Sequence, residues 1–239
     1  SGPFGLFPTS RHISAGDLGL PTPGLELKLV PLQGKLEIRY RGPNITPGYW
    51  RAPEATAEAF DDEDFFCTGD AVTWIDAQDK HQGLRFDGRI AEDFKLATGT
   101  FVSVGPLRAR VIAGGAPYVQ DVVITGLNRT EVGALIFPTP AVRTLADLPP
   151  DAPLADVLNA PAVLQKFRSL VTDLSLTATG SANRVARLML LAEPPSIDKG
   201  EVTDKGSINQ RAVLRNRAAL VEALYRGEDG HDVLLPGAG

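Results

Sequence analysis

The sequence is poor in the residue types that build disulfides, metal centres and membrane spans. Its single cysteine, Cys67, excludes an internal disulfide and any cysteine-cluster metal site. Its histidines, His12, His81 and His231, are too far apart to suggest a zinc site. No apolar run approaches the ~20 residues that a membrane helix needs, and no signal-peptide pattern opens the chain. We therefore expect no metal site, no membrane partner and a location in the reducing cytoplasm.

Positive charge is also in short supply. The chain has 24 Lys and Arg against 29 Asp and Glu, a formal net charge of −5 at pH 7. Binding to nucleic-acid phosphates requires concentrated basic residues, so a nucleic-acid partner is not expected. With 43% hydrophobic and 22% charged residues, the composition is that of a globular protein. A length of 239 residues allows one large domain or two smaller ones.

Residues 1–86 carry the pattern of a β-rich subdomain with many turns. Residues 25–30 and 35–40 alternate apolar and polar side chains around Gln33-Gly34, which predicts a hairpin with one wet face. Pro53 suits the first turn of a short helix over 53–60, and the acidic run 61–64 is interpreted as a solvated loop. Further short strands are predicted at 65–67, 71–75 and 83–86, giving a barrel-like arrangement.

After Arg89 the pattern changes to strands mixed with helices. Short strands are predicted at 94–96 and 101–102, and longer ones at 119–125, 132–137 and 185–191. Helices are predicted at 105–113 and 161–176, and a third over 208–225 behind a capping box that begins at Ser207. We interpret 139–161 as a long surface connection and the tail from Gly227 as loose. The fold class is α+β.

Two candidate binding residues lie in the stretch 65–99, around which the chain is organised. Asp70 ends a Thr68-Gly69-Asp70 turn, where its carboxylate could accept two hydrogen bonds from a vicinal diol such as a ribose. The alternative is a strand-end Asp that bonds its own turn. Arg89 follows Gly88, and its fork could hold a ribose oxygen or a phosphate. The alternative is an interdomain salt bridge.

The candidate catalytic residue is Lys205, which precedes the capped C-terminal helix. A loop lysine beside a helix N-terminus can neutralise a phosphate and a developing carboxyl oxyanion. The alternative is a solvated lysine, and Lys199 and Lys95 are rivals for the same role. Cys67 lies beside two phenylalanines and is interpreted as a buried apolar residue.

Five segments in this order resemble the second half of an adenylate-forming enzyme, a superfamily of acyl- and aryl-CoA synthetases, luciferases and peptide-synthetase adenylation domains. They are GKLEIR (34–39), GPNITPGYWR (42–51), FCTGD (66–70), DGR (87–89) and KGSINQR (205–211). Within the superfamily, the phrases FDGRIAEDFKLATGTFVSVGPLR and DKGSINQRAVL are most similar to feruloyl-CoA synthase. The resemblance extends from about residue 19 to residue 225.

The resemblance implies a division of the chain at a hinge. Residues 1–88 would belong to the β-rich part of a large N-terminal domain, 93–226 to a mobile α+β lid, and 227–239 to a loose tail. The hinge would span 89–92. The family pivot falls on Ala91, where the family often has Asp or Lys, and Glu92 is the neighbouring candidate.

The resemblance also assigns roles to the candidate residues. Asp70 would hold the ribose hydroxyls of AMP, and Arg89 the ribose or phosphate side. Lys205 would be the adenylation lysine, although the commoner family pattern places lysine after the glycine, where this chain has Ser207. The loop 95–99, with Lys95, Thr98 and Gly99, would face the active site during thioester formation.

The implied enzyme activates a hydroxycinnamate-like aromatic acid with ATP and transfers it from AMP to coenzyme A. The sequence contains no Ser/Thr/Gly-rich loop ending in Lys and no Tyr-Gly-x-Thr-Glu segment. We therefore expect a C-terminal fragment that is inactive alone, with Mg²⁺ held mainly by the missing N-terminal part. The alternatives are an enzyme that loads a carrier protein and a non-catalytic module with the lid fold. No oligomeric state is implied.

Overall fold

Two units, Ser1–Ala91 and Glu92–Gly239, divide the chain in the computed structural model. The structure describes residues 5–9, 12–14, 16–203, 206–227 and 232–237. None of the helices in these ranges is long and apolar enough to cross a membrane. The unit boundary falls within the stretch 89–92 that the sequence predicts as a hinge; the hinge motion itself stays a prediction.

The first unit is built on a six-stranded antiparallel sheet. Its elements are β1 (Leu6–Phe7), β2 (Asp17–Pro21), β3 (Glu26–Leu32), β4 (Lys35–Arg41), α1 (Pro53–Ala59), β5 (Phe66–Trp74) and β6 (Leu84–Arg89). The strand order is β1-β2-β6-β5-β4-β3. The predicted hairpin is confirmed, because β3 and β4 pair along their whole length around Gln33 and Gly34. One face of this sheet buries Ile38, Val72 and Leu84 in an apolar core.

Residues 65–75 differ from the prediction of two short strands joined by a turn. β5 runs without a break from Phe66 to Trp74, with Thr68, Gly69 and Asp70 inside it. β4 and β6 pair with β5 on its two sides, so the ladder continues past the glycine. Gly69 has φ +70°, which lets the strand take up extra residues as a bulge instead of turning back.

The second unit combines a small mixed sheet with helices. Its strands are β7 (Phe94–Lys95), β8 (Phe101–Val102), β9 (Val119–Thr125), β10 (Val132–Pro138) and β11 (Val185–Leu190), and its helices are α2 (Val104–Gly115), α3 (Leu154–Leu158), α4 (Pro161–Leu176), α5 (Gln210–Asn216) and α6 (Ala218–Arg226). The sheet order is β11-β10-β9. β9 pairs with β10 antiparallel, whereas β11 is parallel to β10 after a crossover that contains α4.

Helices cover both faces of this sheet, which explains the continuous apolar run of β9. Val122 and Ile124 pack into one core together with residues of α2 and α4. Val123, between them in the sequence, packs into a second core with residues of α5 and α6. Burial on both faces, as predicted for this strand, is confirmed, and so is the α+β fold class.

The C-terminal helix predicted over 208–225 is broken into α5 and α6. The capping side chain is Asn209, whose Oδ1 accepts the Ala212 N–H at 3.3 Å. Ser207, the predicted cap, instead lies 2.8 Å from the Thr203 hydroxyl, oxygen to oxygen. The break falls at Arg217, which has non-helical backbone angles and a side chain paired with buried carboxylate and carbonyl groups.

Two segments predicted as irregular are partly ordered into the core. The connection 139–161 contains a 3-10 helix at Pro140–Leu145 and helix α3, which bury Val142 and Val157. In the predicted tail, Val233 and Leu234 are buried, and Leu234 forms a β-bridge with Leu188 of β11. Both segments are more ordered than predicted because each contains apolar side chains that pack into the core.

Candidate functional site

Asp70 and Arg89, both predicted to bind a nucleotide, lie opposite each other on β5 and β6. Arg89 Nε donates to Asp70 Oδ1 at 3.1 Å. The side chains are 33% and 60% exposed, so a ligand can reach both. Burial, together with the charge of Asp70, raises the pKa of Tyr40 to about 12. The structure therefore places an accessible carboxylate beside an accessible guanidinium, which can accept hydrogen bonds from a diol and donate to an oxyanion.

Two irregularities in the sheet ladders lie at these residues: one contains Asp70, and the other immediately precedes Arg89. Between the pairs Glu37–Ala71 and Arg39–Cys67, β4 has one residue whereas β5 has three. Between the pairs Asp70–Arg89 and Val72–Phe86, β6 has the extra residue. Such bulges bend a strand and re-aim its side chains. Thr68, Gly69 and Asp70 form the first bulge, and Asp87 and Gly88 form the second.

Two charged residues of β4, missed by the sequence analysis, hold these bulges. Glu37 Oε1 accepts the Gly69 N–H at 3.0 Å. Lys35 Nζ donates to the Asp87 carbonyl at 2.5 Å and lies 3.3 Å from its Oδ2. Their side chains are only 7% exposed for Lys35 and 4% for Glu37, so the predicted wet face of the hairpin is covered here. The available signal was charge of alternating sign on one strand face.

Arg39 links the buried Glu37 to Asp61, the first residue of the acidic run 61–64. Its guanidinium donates to Glu37 Oε2 at 2.8 Å and to Asp61 Oδ2 at 2.9 Å, and Lys28 Nζ lies 3.1 Å from Asp61. Burial alone would raise the pKa of Asp61, but hydrogen bonds from Arg39, the Phe65 N–H and Lys28 outweigh it and hold that pKa well below its usual range. Asp61 is thus a structural anion, which corrects its prediction as part of a solvated loop.

The predicted thioester-step loop lies in the second unit, between β7 and β8. Lys95, Thr98 and Gly99 are exposed. The Thr98 and Thr100 hydroxyl oxygens are 3.0 Å apart, and the Asn128 N–H donates to the Lys95 carbonyl at 3.3 Å. The loop is a tight, solvent-facing connection, and its role stays a prediction.

The remaining candidates are the hinge residues, the candidate catalytic lysines and Cys67. Ala91 and Glu92 flank the unit boundary, at the end of the first unit and the start of the second. Lys205 lies outside the described residues. Its rival Lys199 is exposed and lines a cavity of about 670 Å³ in the second unit. Cys67 is half-buried in β5, opposite Arg39, so the prediction of a buried apolar residue is corrected.

The described residues offer no site for Mg²⁺. They contain no group of three or more His, Cys, Asp or Glu side chains that could hold a metal ion. Two acidic side chains that share a partner, Glu37 and Asp61, are neutralised by Arg39.

Comparison of the sequence with models of protein families identifies the family of this chain. The model of the AMP-binding enzyme C-terminal domain matches residues 94–229, more than half of the chain. The chain belongs to this family. Its resemblance to adenylate-forming enzymes of the acyl- and aryl-CoA ligase type is thereby supported for the second unit.

Similarity to known proteins extends over both units. The chain is 25% identical to the long-chain-fatty-acid–acyl-carrier-protein ligase AEE15, chloroplastic, of Arabidopsis thaliana, over 93% of the chain and 32% of that protein. It is 28% identical to the long-chain-fatty-acid–CoA ligase FadD15 of Mycobacterium tuberculosis, over 91% of the chain and 35% of that protein. It thus spans about a third of the length of these relatives.

A solved structure shares the fold. The A domain of carboxylic acid reductase from Segniliparus rugosus, in complex with AMP and a co-purified carboxylic acid, superposes with a TM-score of 0.66. The two chains are 24% identical, and the match covers 88% of this chain and 33% of that one. The antiparallel sheet and the α+β unit are therefore those of an adenylate-forming enzyme fold.

Proposed function

We propose that this chain is part of an ATP-dependent carboxylate–CoA ligase of the cytoplasm that activates a hydroxycinnamate-like aromatic acid, as a feruloyl-CoA synthase does. The observation that carries the proposal is the accessible Asp70–Arg89 pair on adjacent strands of a chain from this family. Similarity to a fatty-acid–CoA ligase supports the ligase chemistry. The phrases at 86–108 and 204–214 support the aromatic substrate.

The proposed chemistry has two steps. First, a carboxylate oxygen of the acid bonds to the α-phosphorus of ATP while the bond from that phosphorus to the departing pyrophosphate breaks. Second, the thiol sulfur of coenzyme A attacks the acyl carbon, AMP leaves with the electron pair of the acyl–oxygen bond, and the thiol proton passes to water. Asp70 would accept the ribose hydroxyl hydrogens in both steps, while Arg89 donates to a ribose or phosphate oxygen.

The second unit supplies the other residues of the proposal. Lys205 offsets the negative charge that builds during acyl-AMP formation. A rotation about Ala91 or Glu92 then exchanges Lys205 for the loop with Lys95, Thr98 and Gly99 at the active site. Domain movement about a few residues is a known way to run two half-reactions in one cleft.

Exchange of labelled pyrophosphate into ATP, with ferulate as the acid and the full-length gene product as the enzyme, tests the nucleotide site. Asp70→Ala and Arg89→Ala should each raise the KM for ATP by about 10- to 100-fold, the range expected for hydrogen bonds to charged groups. Arg85→Ala is the matched control, because Arg85 also lies on β6 and pairs with an acid on the neighbouring strand, Asp17, at 2.7 Å. Unchanged KM values in both site variants would refute the assignment.

The choice of lysine needs its own comparison. Lys205→Ala should abolish most pyrophosphate exchange, whereas Lys199→Ala should retain it, since we assign the charge-offsetting role to Lys205. Normal exchange by the Lys205 variant would refute this choice, and loss in the Lys199 variant would transfer the role. No exchange by the wild-type enzyme with any acid would instead favour a non-catalytic module.

A second candidate acceptor is a carrier protein, favoured by the similarity to an acyl-carrier-protein ligase. In the test, acyl-AMP formed in the first step is supplied with either coenzyme A or a phosphopantetheinylated carrier protein. The acceptor that becomes acylated identifies the second substrate. We propose that coenzyme A is the acceptor. We also propose that the 239-residue chain alone catalyses no exchange, because its sequence contains no Ser/Thr/Gly-rich phosphate loop ending in Lys.

A further inference from the structure

We propose that Lys35 and Glu37 are positioning residues that set the geometry of Arg89 and Asp70. The inference rests on the proposed function, in which Asp70 and Arg89 bind the nucleotide. The two charges are two residues apart on β4 and therefore lie on the same face of the sheet. Each forms a hydrogen bond to a backbone atom in one of the two bulges.

The bulges create the need for these side chains. A bulge interrupts the regular ladder, and a buried backbone group without a partner is costly. The Gly69 N–H finds its acceptor in Glu37, and the Asp87 carbonyl finds a donor in Lys35. Ordinary apolar residues at positions 35 and 37 could cover the sheet but could not satisfy these two atoms.

The hydrogen bonds act close to the binding side chains. Gly69 immediately precedes Asp70, and the Thr68 hydroxyl fixes the other side of the bulge. It donates to the Ile38 carbonyl at 2.6 Å and accepts the Asp70 N–H at 3.0 Å. Asp87 lies two residues before Arg89, and Lys35 reaches it across β5 from β4. One strand thus fixes the backbone beneath both halves of the Asp70–Arg89 pair.

Glu37 is itself held rigidly, as positioning requires. Arg39 donates to its Oε2, and Asp61 in turn fixes Arg39. Nearly complete burial of Glu37 and Lys35 keeps water from replacing either contact. The side chains therefore act on the nucleotide through the backbone, without touching it.

The test measures ATP dependence of pyrophosphate exchange in the full-length gene product. Glu37→Ala and Lys35→Met should each raise the KM for ATP by about tenfold, the upper range for one hydrogen bond, and leave the KM for the acid unchanged. Glu37→Gln should raise the KM for ATP less than Glu37→Ala does, because its amide oxygen can still accept the Gly69 N–H while its amide nitrogen cannot accept from Arg39. Glu26→Ala is the matched control, since Glu26 is an exposed carboxylate on β3 that pairs with Arg41.

A double-mutant cycle separates positioning from general destabilisation. In an Asp70→Ala background, Glu37→Ala should raise the KM for ATP no further, because the group through which it acts is gone. An equal rise in both backgrounds, or a loss of kcat with unchanged KM, would overturn the inference. If Asp70→Ala raises the KM but Glu37→Ala does not, the inference alone fails. An unchanged KM in Asp70→Ala overturns the proposed function and the inference together.

Hydrogen–deuterium exchange gives a readout independent of activity. Peptides covering β5 should exchange faster in Glu37→Ala than in wild type or Glu26→Ala, because the Gly69 amide loses its acceptor. Glu37→Gln should restore part of the protection, because its amide oxygen can accept the Gly69 N–H. Unchanged exchange in a folded Glu37→Ala protein would contradict the positioning role even if its KM had changed.

Discussion

A single buried ion pair organises the end of the second unit. Arg217 donates from Nε to Glu201 Oε1 at 3.1 Å and from Nη2 to Oε2 at 2.7 Å. Its remaining donors reach the carbonyls of Glu193 and Pro194, while the Ser196 N–H donates to Glu201. With the two side chains 9% and 1% exposed, both charges depend on this network. It explains why the helix breaks at Arg217, which no periodicity in the sequence indicates.

Loss of the carboxylate should destabilise the second unit strongly. Glu201→Gln leaves Arg217 buried without a counter-charge, and removing one partner of such a pair costs about 3–5 kcal/mol of unfolding free energy at neutral pH. Urea titration followed by circular dichroism measures the change. Glu193→Gln is the control, because only the backbone carbonyl of Glu193 contacts Arg217. A stability equal to wild type would contradict the role of the pair.

The difference in unfolding free energy between wild type and Glu201→Gln should depend on pH. Hydrogen bonds from Arg217 lower the pKa of Glu201 to about 2, from 4.5 for the ordinary group. The stabilisation by this carboxylate is complete above pH 4.5 and is lost as the pH falls towards 2. The gap in stability between wild type and Glu201→Gln should therefore narrow between these two pH values. A constant gap would show that the carboxylate does not titrate as described.

At the scale of whole elements, strong periodicity could be predicted and bulges could not. Helix α4 and strand β9 match their predicted ranges, because apolar spacing alone determines which faces are buried. β5 could not be predicted as one strand, since Gly69 has the local signal of a turn and only pairing with both neighbouring strands overrides it. The roles of Lys35 and Glu37 could not be predicted for the same reason, because their partners are backbone atoms of strands that are distant in the sequence.

Two glycines of the first unit, Gly69 in β5 and Gly83 just before β6, should differ in their tolerance of alanine. Both have positive φ, +70° at Gly69 and +87° at Gly83. A Cβ at Gly69 would meet nothing within 4 Å, so Gly69→Ala should cost only the left-handed backbone, about 1–2 kcal/mol. A Cβ at Gly83 would collide with the backbone of Gly19 on β2, so Gly83→Ala should cost more, about 2–5 kcal/mol.

Chemical denaturation of the two glycine variants checks this ranking. Both substitutions add a methyl group at a positive φ, but at Gly83 the methyl also meets the backbone of Gly19, and the backbone there, with φ +87° and ψ −155°, is one that glycine alone adopts readily. Equal losses of unfolding free energy would mean that β2 moves away from β6 at little cost. A larger loss for Gly69→Ala would contradict the open space at the bulge.

For the molecule as a whole, each unit has its own core. The cluster of the first unit consists of residues from its own sheet and loops, whereas the two clusters of the second unit contain no residue before Phe94. The change from a mostly β pattern to a mixed pattern near Arg89 indicates this division in the sequence. The site at Asp70 and Arg89 lies wholly within the first unit, while Lys205 and the 95–99 loop belong to the second.

Separate cores predict separate responses to mutation. Gly83→Ala should lower the unfolding transition of the first unit, and Glu201→Gln that of the second, because each acts on a different core. In the double variant the two losses of free energy should add within about 0.5 kcal/mol, as they do for sites without shared partners. Differential scanning calorimetry with a fluorescence probe in each unit, such as Trp74 for the first and an added tryptophan for the second, resolves the transitions. A single transition that both substitutions lower would mean that the two units unfold as one, and the lid motion proposed for catalysis would then have to break the coupling between them.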